Sequence, residues 1–426
     1  LAFFKIRKRD AALINVGQSF SLTSTMANNS SIVIVAGKRT PFGSFGGGLK
    51  DVGATQLAVA SGRAALEQAK VDAKDIDHVV LGNVVQSGAD AAYVPRHVGL
   101  HLGVPVENGA LGLNRLCGSG FQSWITAAEM IMSGDATIVL AGGVEQMSQI
   151  PYILRGARFE GFRMGQAPLE DYMTSALTDA FAGMPMAITA ENLAEKYGIS
   201  RAACEEYSLL SQKRCADAMA AGFFTAEMSP VVVETRKGSV TIDKDEHPKP
   251  GVALEKLQAM KPMFKPGGTV TAATASGIVD GAAMSVLMTE AEANRRGLKP
   301  MARLVSWGAV GCDPKIMEIG PAGAIRKALT KANLKLSDMD LVEVNEAFAA
   351  QYLAVEKELG LERSKTNING GAIAIGHPLA ASGTRIMNHL MYELGRHAAA
   401  GKPAKYAVGS ACIGGGQGIA VIIEKM

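Results

Sequence analysis

A chain of 426 residues, 48% hydrophobic and 19% charged, is long enough for two or three domains and too apolar to stay unfolded. Forty-three basic against forty acidic residues leave a formal charge of +3, which gives no reason to expect a nucleic-acid partner. Five cysteines, an odd number, make no disulfide framework and suit a reducing compartment, and no run of about 18 apolar residues is present to span a membrane.

Residues 1–30 read as a leader outside the fold. Lys5, Arg7, Lys8 and Arg9 precede an Ala/Leu stretch and a Ser/Thr-rich run, a pattern that resembles a mitochondrial transit peptide. The alternative is that Met26 is the true start and Leu1–Thr25 an artefact. The corresponding locations are the mitochondrial matrix or, failing a leader, the cytoplasm. From Ser31 short β-branched runs alternate with helical patterns: a strand over 31–37, a Gly-rich loop, a helix over 54–69 and a strand over 78–84. Leu111–Leu116 then leads into Cys117 and a helix, and a buried strand covers 137–143. Such alternation predicts an α/β fold with a mainly parallel sheet covered on both faces.

The rhythm breaks over about 147–276, which is richer in Pro, Lys and Met. It resumes with a helical pattern from Gly320, a strand ending at Asn345, the KTNINGG run, a helix from Ser382 to Leu394, and two closing strands. The two alternating regions parallel each other: VVLGNV matches LVEVNEAF, Cys117 before a helix matches His377 before a helix, and TIVLAGG matches YAVGSACIGGG. This predicts two copies of one unit with an insertion in the first. The expected division is 31–146 with 277–297, then 147–276, then 298–426.

Four positions carry candidate chemistry, each with a plainer reading beside it. Cys117, in NRLCGSG, sits at the first turn of a helix, where free amides favour a thiolate nucleophile; otherwise it is a buried structural cysteine. His377, in a Gly-His-Pro turn at a strand end, is a candidate base or a hydrogen-bonded turn residue. Cys412, in GSACIGGGQG, precedes glycines able to bring backbone N–H groups to an oxyanion, or lies passively in a hairpin. Asn345 either caps a helix or polarises a carbonyl or a water. Cys204, Cys215 and Cys312 lack zinc-site spacing, so no metal is expected, and no phosphate-binding Gly-Lys loop occurs.

NRLCGSG, NEAFAAQ, NINGGAIAIGHP and GSACIGGGQG, in this order, resemble the thiolase family from about Ile32 to the C-terminus. GMPMAITAENL and DEHPKP are more similar to its 3-ketoacyl-CoA branch, which works in fatty-acid β-oxidation, than to its acetoacetyl-CoA branch, where His commonly replaces Pro185. The resemblance implies a five-layered αβαβα fold of two related βαβαβαββ halves with an inserted loop domain. It implies Cys117 as the acylated nucleophile, His377 as its base and Cys412 as the acid/base at the α-carbon. Asn345 would hold the water of one oxyanion hole with His377, and the amides of Cys117 and Gly414 would form another. Coenzyme A is then a co-substrate rather than a resident cofactor, contacted by Ser276, Met186 and Lys249. Lys249 stands where relatives often carry Arg, which weakens the expected contact with the adenine. Ala380 and Ala381 replace commoner glycines, so a narrower acyl pocket is expected. A homodimer or homotetramer is also implied. The alternatives are an acetoacetyl-CoA thiolase, a ketoacyl-synthase-like condensing enzyme, which lacks a thiol at the Cys412 position, and a silent CoA-binding scaffold.

Overall fold

A computed structural model describes residues 31–159 and 161–426; the basic leader lies outside the described residues. Nine long strands share one sheet system. They are β1 (Ile32–Arg39), β2 (His78–Gly82), β3 (Gly109–Leu113), β4 (Ile138–Glu145), β5 (Val279–Thr289), β6 (Ala302–Gly311), β7 (Leu341–Val344), β8 (Tyr406–Ile413) and β9 (Gln417–Lys425). The principal helices are α1 (Ala54–Ala69), α2 (Val94–Leu102), α3 (Ser119–Ser133), α4 (Met186–Tyr197), α5 (Arg201–Ala220), α6 (Gly320–Ala332), α7 (Ala349–Leu359) and α8 (Leu379–Ala399).

The strand order is β7-β8-β9-β6-β1-β5-β4-β2-β3, and its centre is a thin seam. Only Val33–Arg303 and Ile34–Ala302 pair across β1 and β6. On each side of that seam the order is the same. The first strand of the half lies at the seam, the last lies antiparallel beside it, and the parallel strands lie outward. The internal repeat is therefore visible as topology: β2 corresponds to β7, β4 to β8, α3 to α8.

Side-chain alternation builds the layers. Val79 and Leu81 face a core shared with α1 and α2, while Val80 between them faces α3 and α8. On β9, Ile419, Val421 and Ile423 face the same central helices, and Ala420 and Ile422 face α6 and α7. Strands buried on both faces read as continuous apolar runs for this reason. The result is helix, sheet, helix, sheet, helix: five layers with α3 and α8 in the middle.

Those two central helices touch backbone to backbone. A Cβ on Gly120 would lie 2.5 Å from the Thr384 N, and one on Gly383 would lie 2.4 Å from the Phe121 N. Thr384 Oγ1 donates to the Gly120 carbonyl at 3.0 Å across the crossing. Because α3 starts just after Cys117 and α8 just after His377, this crossing brings the two helix starts together, with Leu379 and Cys117 in one apolar cluster. Among the described residues no helix is long and apolar enough to cross a membrane.

Two elements differ from the sequence expectation. Helix α8 begins at Leu379 rather than Ser382, directly behind Pro378, because its buried first-turn N–H groups find acceptors outside the helix, in Glu145 and in the carbonyls of His377 and Pro378. The KTNINGG run makes two isolated bridges, Thr366 to Val342 and Ile368 to Gly370, in place of a continuous strand. Asn367, at φ 47°, replaces backbone pairing with its side chain: Oδ1 accepts from Val344 N at 2.9 Å and Nδ2 donates to Val344 O at 2.9 Å.

Candidate active site

Cys117 follows a strained backbone step. Leu116 adopts φ 47°, unusual for a residue with a branched side chain. The turn is held by Asn114 Oδ1, which accepts from Leu116 N, and by Ser119, whose Oγ accepts from Arg115 N and donates to Leu116 O, at 2.7–2.9 Å. Cys117 itself keeps a partly open side. Burial pushes its thiol up to about 12, against the N–H groups of Gly414 and Cys117, which point at the sulfur; Glu145 and Glu318 push the same way as burial. The helix terminus was expected to favour a thiolate. Desolvation wins instead, and the resting group is a thiol.

His377 is presented by Gly376, which takes φ 94° and would drive a Cβ to 2.3 Å from Val279 Cγ1. The His377 N–H donates to Gly277 O at 2.9 Å, its Nδ1 meets Ser382 Oγ at 2.6 Å, and its Nε2 lies 3.5 Å from Asn345 Nδ2. With the amide N–H facing Nε2, that nitrogen is the acceptor and Nδ1–H donates to Ser382. Burial lowers the imidazole to about 3, with Arg385 adding to the effect. It is a neutral imidazole whose Nε2 lone pair faces the Asn345 amide.

Asn345 does not cap a helix: α7 starts four residues later, with Phe348 at its N-cap. Its N–H donates to Ser410 O at 2.9 Å, tying it to β8, while Oδ1 is buried without a protein partner. The next residue, Glu346, is fixed by the insertion, through Tyr207 Oη at 2.6 Å and Ser211 Oγ at 2.7 Å. Helix α5 thereby locks the loop that carries Asn345.

Cys412 lies on β8 opposite Gly418 in the hairpin that leads to Gly414. It is fully buried among Met317 and Ala347, with Met186 and Phe348 alongside. Burial, followed by the proximity of Cys117, Glu318 and Cys312, raises its pKa well above the ordinary thiol range. The hairpin reading of this motif holds. It is a hairpin, and its first glycine aims an amide at Cys117.

A separate cavity of about 740 Å³ lies in the insertion, lined by Lys249, Pro250, Lys256, Ala272, Ala273 and His247 among others. Lys249 is on its wall, its N–H donating to Gln212 Oε1 at 2.8 Å. Ser276 and Met186 lie nearer the thiols. Ser276 N–H donates to Ala347 O at 3.0 Å, and a Cβ on Gly414 would stand 3.4 Å from Met186 Sδ. Gly277 links the two regions. Its carbonyl holds His377, and a Cβ there would meet His247 Nε2 at 2.3 Å. Ala380 and Ala381 are wholly buried in the first turn of α8, where Ala380 N–H donates to Glu145 Oε2 at 3.1 Å.

The N-terminal thiolase domain model matches residues 32–291 and the C-terminal thiolase domain model matches residues 298–425. The chain belongs to the thiolase family. This thiolase is 55% identical over 395 residues to the mitochondrial 3-ketoacyl-CoA thiolase of Bos taurus, covering 92% of the present chain and 98% of the bovine one. It is 45% identical over 402 residues to an acetyl-CoA acetyltransferase of Rhizobium meliloti, covering 94% and 100%. The crystal structure of human mitochondrial 3-ketoacyl-CoA thiolase in complex with CoA superposes with a TM-score of 0.89 at 52% identity, covering 93% and 98%.

Three residues around the candidate site are not singled out by the sequence motifs. Ser382, which orients His377, was read only as the start of a helix. His247, whose Nδ1 lies 2.8 Å from Ala374 O, carries the signal of a flanking Pro on its C-terminal side, as His377 does. Glu318 has no such signal.

Proposed function

We propose that this thiolase cleaves 3-ketoacyl-CoA with coenzyme A, giving acetyl-CoA and an acyl-CoA shortened by two carbons, with Cys117 carrying the acyl group. The reading is supported by one arrangement: Cys117, partly open, and Cys412, buried, lie close together with the Gly414 amide at Cys117, and Leu379, two residues after the neutral His377, packs in one cluster with Cys117.

The charge states shape the mechanism. A thiol at about 12 beside an imidazole at about 3 forms no resting ion pair. Proton transfer from Cys117 to His377 Nε2 must therefore accompany attack on C3, as negative charge passes to the substrate oxygen under the N–H groups of Cys117 and Gly414. Collapse of that adduct breaks C2–C3 and expels the acetyl-CoA enolate. Asn345, through a water shared with His377, would hold the enolate oxygen, and Cys412 would protonate its carbon. Cys412 then takes the proton from incoming CoA, whose sulfur displaces the acyl group from Cys117. One sulfur cannot be acylated and shuttle the proton together, which is the reason for two.

Lys249 in the insertion cavity, with Ser276 and Met186 leading to the thiols, would hold CoA. The mitochondrial relatives support placement in the mitochondrial matrix. The outer edge of β3 is unpaired, with Leu111 exposed, and supports a homodimer or a tetramer of such pairs. The proposed division of labour keeps 31–146 with 277–297 and 298–426 as the two halves and 147–276 as the CoA-binding loop domain.

The test is thiolysis across 3-ketoacyl chain lengths together with acyl labelling of Cys117. Cleavage of 3-ketoacyl chains longer than acetoacetyl, with labelling lost in Cys117→Ala, is the expected result. Activity confined to acetoacetyl-CoA would move the protein to the acetyl-CoA acetyltransferase group, and labelling retained in Cys117→Ala would end the assignment.

A further inference from the structure

The segment Pro314–Ile319, between β6 and α6, is a tight helical turn broken at Ile316 (φ −139°, ψ 40°). Past the break Met317 and Glu318 are both buried. Met317 packs on Cys412 and Ala347, and its carbonyl accepts from Cys312 Sγ at 3.5 Å. The residue after this segment, Gly320, clamps it to the Cys412 hairpin, since a Cβ there would lie 2.2 Å from the Gln417 carbonyl oxygen. Glu318 is thus held in fixed relation to the thiols.

Its carboxyl is fully buried and half satisfied. Oε1 accepts from Thr189 Oγ1 on the first turn of α4, and Oε2 has no hydrogen-bond partner. An ionised carboxylate in such a wall is costly without a cation beside it, and no charged group contributes to this one. The titratable groups it acts upon are Cys117 ahead of α3, Cys412 on β8 and Cys312 after β6. Helix α4 presents Thr189, α7 and β9 contribute no charge to it, and Lys315 of its own segment is exposed. Burial pushes the carboxyl up to about 8, with the Thr189 hydrogen bond opposing, so it is protonated at neutral pH.

We propose that Glu318 is a positioning residue of the two-thiol site: it stands uncharged in the active enzyme, and on losing its proton it holds Cys117 and Cys412 as thiols and slows the chemistry. This rests on the thiolase reading above for its consequence in turnover, while the electrostatic coupling itself is measurable apart from it. Glu318→Gln keeps an oxygen for Thr189 and cannot ionise.

The experiment is iodoacetamide modification of Cys117, located by peptide mass spectrometry, with thiolysis measured in parallel, from about pH 6 to about pH 10. In the native chain the logarithm of the modification rate is expected to bend downward above about pH 8, where Glu318 ionises. In Glu318→Gln it should keep rising, opening a gap of about fivefold by about pH 9 and about tenfold by about pH 10, the size of a one-unit shift in a neighbouring thiol. Superimposable profiles would overturn the proposal. Thr189→Val retains Glu318 but removes the bond that favours its ionised form, so its bend should move to higher pH; an unmoved bend would also count against the proposal. Absence of thiolysis in the native chain would end the thiolase reading, and the modification profiles would still decide the role of Glu318.

Discussion

Gly143 on β4 lies where the central helices press closest to a sheet. A methyl added there would stand 1.9 Å from the Ala380 carbonyl oxygen and 2.5 Å from its carbon. Both are backbone atoms, so no side-chain rotation relieves the contact, and the start of α8 must retreat by more than an ångström. Overpacking of this kind costs about 1–3 kcal/mol. The displacement also moves His377, three residues before Ala380, and Ser382, which orients its ring. Misplacing a reacting group by about 1 Å costs on the order of 10²-fold in rate. Gly143→Ala is therefore expected to lower stability by about 1–3 kcal/mol and acylation of Cys117 by about a hundredfold. Thermal unfolding followed by circular dichroism and single-turnover acylation by a 3-ketoacyl-CoA measure the two effects. Gly395→Ala is the control on the same helix: nothing lies within 4 Å of its added methyl, so it should gain about 0.5–1 kcal/mol and keep native acylation. Native melting and acylation in Gly143→Ala would refute the claim that the middle layer fixes the imidazole.

Cys412→Ala should still accept an acyl group on Cys117 while losing hydrogen exchange at the α-carbon of acetyl-CoA, read by deuterium incorporation; unchanged exchange would assign the proton to another group. Ser382→Ala removes the acceptor of His377 Nδ1–H and should lower kcat by about tenfold or more with KM for CoA little changed, a split that steady-state kinetics resolves. His377 has a folded pKa of about 3 against 6.5 for the free side chain, so the folded state binds fewer protons. The stability this confers is complete above pH 6.5 and lost as pH falls toward 3. Denaturant unfolding at about pH 7 and about pH 5 should show a loss of about 2 kcal/mol from this group, absent in His377→Gln.

The strand runs were legible because burial on both faces leaves an unbroken apolar signature, and α1 and α6 because one face of each is apolar at helical spacing. The repeat was legible at Cys117 and His377 because glycines mark both turns. What escaped was decided by tertiary surroundings. Nothing around Cys117 in the chain announces how thoroughly its neighbours exclude water, so the charge state inferred from the helix terminus alone was reversed. Asn345 reads as a cap because a strand precedes it and a helix follows, yet the loop between is pinned by Glu346 to α5, far away in sequence. Asn367 breaks a strand pattern by supplying from its side chain the pairing that backbone would have given. Glu318 is one acidic residue among forty acidic positions until its burial is known.

The thin seam between β1 and β6 carries a consequence for how such a protein can change. Cys117 and His377 occupy equivalent places in duplicate units, so a polypeptide severed between Thr289 and Ala302 would yield one fragment holding the proposed attacking sulfur and another holding its proposed base. Neither fragment has a complete reaction, and only their reassociation through the interlocked middle helices would restore one.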